Sequence, residues 1–139
     1  MVLALLGVLS ACTESPSVTY HLDVPDVALS READRALVGW ARIGLERAPL
    51  DVPADIAAVR MEFGDGLPAD GVTNRVERRI LIRRGLPEFR LLVIIAHEVG
   101  HAVLDTGRHT SCGIMGGSDF FPCDEDVALA CERIPELCR

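Results

Sequence analysis

His97, Glu98 and His101 lie within the five residues His97-Glu98-Val99-Gly100-His101, directly after an apolar run from Leu91 to Ala96. Positions i and i+4 share one face of a helix, so the two imidazoles can present nitrogens to a single tetrahedral Zn²⁺. Glu98, one position along, points beside that axis and can reach a water on the metal without ligating it. Burying two imidazoles and a carboxylate unpaired is expensive, and a bound cation satisfies them. A zinc ion that keeps one place for water needs a third protein ligand. Asp105 cannot supply it from a continuing helix, because eight residues at a rise of about 1.5 Å put it roughly 12 Å along the axis from His97. The chain must therefore turn back. Gly107 offers the turn, and His109 is the first strong ligand after it. A carboxylate from a later helix, Glu125 or Glu132, is the alternative.

The helix carrying this constellation is expected from Pro87, which suits a first helical turn, and its apolar surface all round requires burial. Upstream, Val18 to Val24 alternates as a strand does, and Ser30 offers an N-cap for a helix through about Arg47, with Trp40 in the core. Ile56 to Phe63 reads as a second strand. Gly64-Asp65-Gly66 and Ala69-Asp70-Gly71 read as turns, and Val76 to Arg83 as a strand whose arginines mark a solvated edge. Together these elements predict an α+β fold: a small twisted mixed sheet, an N-terminal helix, the helix bearing the histidines, and a C-terminal helix.

With 139 residues, 49% of them hydrophobic, the chain can bury one modest core, so one domain is expected. A net charge of −7 argues against a nucleic-acid partner, which demands a basic stripe. Val2 to Leu9 is apolar but too short to span a bilayer. Leu9-Ser10-Ala11-Cys12 resembles the lipobox of bacterial lipoproteins, which implies a signal peptide over 1–11, a lipidated Cys12 opening a short linker over 12–17, and a mature domain over 18–139. Thr13, in place of an Asp, favours an outer-membrane address in that pattern. Setting Cys12 aside leaves 5 − 1 = 4 cysteines, Cys112, Cys123, Cys131 and Cys138. An even number in an exported domain reads as two disulfides. Three pairings are open, and the short loops Cys112–Cys123 and Cys131–Cys138 are the expected ones. No two of these cysteines have the close spacing of a structural zinc site.

The stretch HEVGHAVLDTGRHTSCGIM, His97 to Met115, resembles the active-site region of the metzincin zinc peptidases, especially their matrixin-like branch. That superfamily carries HExxHxxGxxH followed by a tight turn with a methionine under the metal, and Cys112-Gly113-Ile114-Met115 is similar to that Met-turn. The interval from second histidine to methionine, 115 − 101 = 14, also resembles the matrixin one. Asp124-Glu125-Asp126-Val127-Ala128 looks like the acidic start of the matrixin C-terminal helix. Two positions depart: Leu104 stands where the family has glycine, and Gly107 where it has its third histidine, so His109 comes two residues late.

The resemblance implies one catalytic Zn²⁺ on His97, His101 and His109, with Glu98 as general base, Met115 as a packing floor, and a peptide or protein substrate. The expected activity is that of a zinc endopeptidase, monomeric and lipid-anchored in the cell envelope. The alternative is a zinc-binding envelope lipoprotein without turnover, acting as an interaction module.

Overall fold

The computed structural model describes residues 21–43 and 58–138. Cys12 and the leader, residues 18–20 of the first expected strand, 44–47 of the first expected helix, and Ile56 lie outside the described residues.

Four strands form one mixed sheet in the order β1-β2-β4-β3. β1 (His21–Asp23) runs parallel to β2 (Ala58–Gly64), and β2 parallel to β4 (Arg79–Arg83). β3 (Gly71–Asn74) pairs antiparallel with β4 and forms an edge. Strand alternation separates the faces: Val59, Met61, Ile80 and Ile82 are fully buried, while Arg60, Arg79 and Arg83 between them are exposed.

The helices cover the buried face. α1 (Val27–Ala36) and the short α2 (Val38–Arg42) precede the sheet's second strand, and α3 (Glu88–Val103) packs against α1, β3 and β4. α4 (Asp124–Arg133) and a 3₁₀ turn (Pro135–Cys138) close the described chain. α3 is buried from Leu92 through Ala96 and again from Glu98 through Val103, as its apolar periphery requires. Trp40 is buried, and its indole N–H donates to the Ala96 carbonyl at 2.8 Å, tying α2 to α3. Both disulfides join the expected partners: Cys112–Cys123 with Cα atoms 6.1 Å apart, and Cys131–Cys138 with 5.7 Å. Among the described residues no helix is long and apolar enough to cross a membrane.

Several local expectations are corrected. The first helix starts at Val27, not after Ser30, because Asp26 caps it by accepting from the Leu29 N–H at 2.9 Å. Ala69-Asp70-Gly71 is not only a turn, since Gly71 begins strand β3. The expected strand from Val76 starts at Arg79, and residues 75–78 form the hairpin turn. That turn is held by the Asn74 side chain, which accepts from the Glu77 N–H at 3.0 Å, and by Arg78 at φ 54°. The arginines of β4 do not mark an edge: β4 is interior, and Arg79 and Arg83 pair with Glu62 and Asp70 on the solvent side.

Candidate metal centre

α3 ends at Leu104, and the chain reverses at Asp105, which takes the left-handed conformation at φ 46°. Gly107 does not carry the positive φ that the sequence suggested. Asp tolerates this region better than most side chains, and the Thr106 N–H closes the end by donating to the His101 carbonyl at 3.2 Å. The reversal folds His109 back over the helix. The ligand atoms of His97, His101 and His109 lie within 4.8 Å of one another, and these three side chains could hold a metal ion.

Hydrogen bonds to backbone carbonyls determine which nitrogens face inward. A carbonyl only accepts, so His97 Nδ1–H donates to the Ile114 oxygen at 2.8 Å and His101 Nδ1–H to the Thr106 oxygen at 2.7 Å. Nε2 is then the nitrogen that each ring turns towards the other histidines. The Nε2 of His101 lies 3.0 Å from that of His97 and 3.1 Å from that of His109. A cation among the converging nitrogens would satisfy them, and carbonyl-oriented imidazoles are the usual outer support of a metal site.

Burial pushes the His101 imidazole down to about 4. The Thr106 carbonyl opposes the shift, while His97, His109 and Arg75 reinforce it. The folded value thus lies below the ordinary 6.5, so the unfolded chain binds a proton first as pH falls. Above 6.5 the ring is neutral in both states. Between 6.5 and about 4 the metal-free protein is expected to lose stability, by about 2–3 kcal/mol at the acid end. Thermal melts of the metal-free chain across this range check it; a flat profile, or one that His101→Gln leaves unchanged, refutes it.

Glu98 is buried beside the histidines and accepts from the Thr73 hydroxyl at 2.6 Å. Both residues line a cleft of about 540 Å³ between the edge strand β3 and the turn Met115-Gly116-Gly117. Arg90 bridges the two rims, donating to Asp70 Oδ2 at 2.9 Å and to the Gly117 carbonyl at 3.0 Å. Met115 is fully buried beneath α3, where the missing side chain of Gly100 makes room for its sulfur and for Trp40. The two alternative carboxylates are engaged elsewhere: Glu125 accepts from the Ser111 N–H at 2.8 Å and hydroxyl at 2.6 Å, and Glu132 from Arg108 at 2.7 Å.

Asp126 escaped the sequence reading. Its fully buried carboxylate accepts from the N–H groups of Ile114 (2.7 Å), Met115 (3.0 Å) and Cys123 (3.0 Å), and from the Thr110 hydroxyl (2.8 Å). It thereby fastens the turn under the histidines to the start of α4, beside the Cys112–Cys123 disulfide. Gly113 takes φ 64°, and any Cβ there would collide with this carboxylate. An acidic residue at the third position of a helix is a capping signal, and it places Asp126 at the start of α4 without naming its partners in the turn. Asp126→Ala strands the buried N–H groups of Ile114 and Met115 and removes the acceptor of the Cys123 N–H, while the Thr110 hydroxyl keeps the Cys112 carbonyl at 2.7 Å; the change is expected to cost about 3–5 kcal/mol. Denaturant unfolding of the metal-free protein measures this, and an unchanged midpoint would show that the turn does not depend on Asp126.

No protein-family profile, curated protein or solved structure matches the chain, so the three-histidine geometry and its surroundings are what bear on function.

Proposed function

We propose that the chain is a zinc-dependent endopeptidase of metzincin-like, matrixin-like character. The observation that carries this reading is the convergence of three imidazole Nε2 atoms beside a buried carboxylate, in a cleft whose rim is a sheet edge. Three nitrogen ligands with room for a fourth group suit Zn²⁺, whose nitrogen bonds of ~2.0–2.1 Å put ligand atoms about 3.3 Å apart in a tetrahedron, close to the 3.0 and 3.1 Å that separate the His101 Nε2 from those of His97 and His109. When bound, zinc supplies Lewis acidity, which acidifies a water towards a pKa of ~7 and polarises a peptide carbonyl.

The chain's own residues do the rest. Glu98 takes the proton of the attacking water and passes it to the leaving amine. Among the described residues β3 is an edge strand, and an extended peptide can add along it as a further strand, its scissile bond lying over the histidines. Met115 keeps the floor apolar and packed.

The test is cleavage of labelled casein and of a mixed peptide library by purified protein. Hydrolysis that a zinc chelator abolishes and added zinc restores is expected. Stoichiometric zinc without cleavage of either would instead favour the non-catalytic binding lipoprotein.

The same reading places the chain in the bacterial cell envelope, on the outer membrane, anchored by acylation at Cys12. Two disulfides agree with an oxidising compartment. Cys12→Ser is expected to move the protein from the membrane to the soluble fraction, since the acyl chains supply the anchoring. Persistence in the membrane with unchanged mobility would contradict the anchor.

A further inference from the structure

We infer that Thr73 is the positioning residue for Glu98, holding one oxygen of its carboxylate so that the other faces the cleft. This rests on the peptidase reading and goes further by giving the edge strand a part in the reaction.

The contact is built from both sides. Gly71 and Thr73 lie two residues apart on β3 and so project to the same face of the strand, the one against α3. A Cβ on Gly71 would stand 2.6 Å from Glu98 Cγ and 2.7 Å from Ile94 Cγ2, so the strand lies against the helix more closely than any side chain there would permit. That close approach brings Thr73 Oγ1 within 2.6 Å of Glu98 Oε2 and 3.1 Å of the Glu98 backbone oxygen. A threonine on a strand has a restricted χ1, so the hydroxyl is directed with little freedom to turn away. Its one hydrogen is shared by two acceptors, and the carboxylate oxygen, being the closer, takes the larger part.

Among the described residues no other side chain donates to this carboxylate. Oε1 is therefore left for solvent in the cleft, where the attacking water must sit. Glu98 has three side-chain torsions and would otherwise sample several of them. A valine of the same shape would fill the space on β3 equally well, so the hydroxyl is the part of Thr73 that volume does not explain.

The experiment compares Thr73→Val and Thr73→Ser in the full chain. In the zinc-loaded protein, Thr73→Val is expected to lower kcat on labelled casein by about 10- to 100-fold, with KM and zinc content unchanged. Thr73→Ser, which keeps the hydroxyl, is expected to restore most of the rate. In the metal-free protein, the melting-temperature changes of Thr73→Val and Glu98→Ala are expected to be non-additive in the double variant, because each removes the same bond. An additive cycle overturns the assignment whatever the protein hydrolyses. A Thr73→Val enzyme with wild-type kcat, beside an inactive Glu98→Ala, also overturns it and leaves the peptidase reading standing. A non-additive cycle in a chain that cleaves neither casein nor the peptide library removes the peptidase reading and leaves Thr73 orienting Glu98 in a binding site.

Discussion

Replacing Glu98 by alanine is expected to leave zinc bound at one ion per chain and to reduce peptide hydrolysis by at least ~10²-fold, the lower end of what a positioned general base contributes. The separation follows from the geometry: Glu98 lies beside the three converging nitrogens but is not one of the ligand-bearing side chains, and its only described side-chain partner is the Thr73 hydroxyl. The fold should tolerate the change, because the Thr73 hydroxyl keeps the backbone oxygen at position 98, 3.1 Å away, as its acceptor. Parallel assays of zinc content and casein cleavage give the answer. A Glu98→Ala protein as active as wild type would assign the proton transfers to another group. A Glu98→Ala protein that loses its zinc would make Glu98 a ligand or a structural support.

The histidines are expected to behave in the opposite way. His97→Ala or His101→Ala should abolish stoichiometric zinc, since either leaves two imidazoles and removes one of the carbonyl-oriented rings. His109→Ala should also weaken binding by more than the ~10–100-fold typical of losing an outer-shell partner. Glu125→Ala and Glu132→Ala should leave zinc binding nearly unchanged, because these carboxylates serve Ser111 and Arg108 at the surface. Equilibrium zinc titration against a competing chelator measures all five. Tight zinc in His109→Ala together with loss in a Glu125 or Glu132 variant would move the third ligand to α4.

The parts of the site written in local periodicity were legible in the sequence. His97 and His101 share a helical face at any fold-level arrangement, and the apolar surroundings of α3 announced its burial. His109 was found by asking where the chain could first return, although the reversal uses the left-handed Asp105 in place of Gly107. What stayed hidden depends on partners distant in sequence. β3 has only four residues, with the β-branched Val72 and Thr73 set between a glycine and an asparagine, too short a run to alternate visibly; pairing with β4 and packing against α3 make it a strand. Thr73 was overlooked with it, 25 residues before the Glu98 it touches. Asp126 looked like one of three acidic residues at a helix start, and its bonds to Ile114 and Met115 span 12 and 11 residues. The arginines of β4 suggested an edge because their counter-charges, Glu62 and Asp70, come from neighbouring segments.

X-ray absorption at the zinc edge of the loaded protein tests the three-histidine centre most directly. The predicted result is one zinc per chain with four nitrogen or oxygen neighbours at ~2.0–2.1 Å and the outer-shell scattering of three imidazoles. A spectrum with two imidazoles and a carboxylate, or with sulfur at ~2.3 Å, would contradict it.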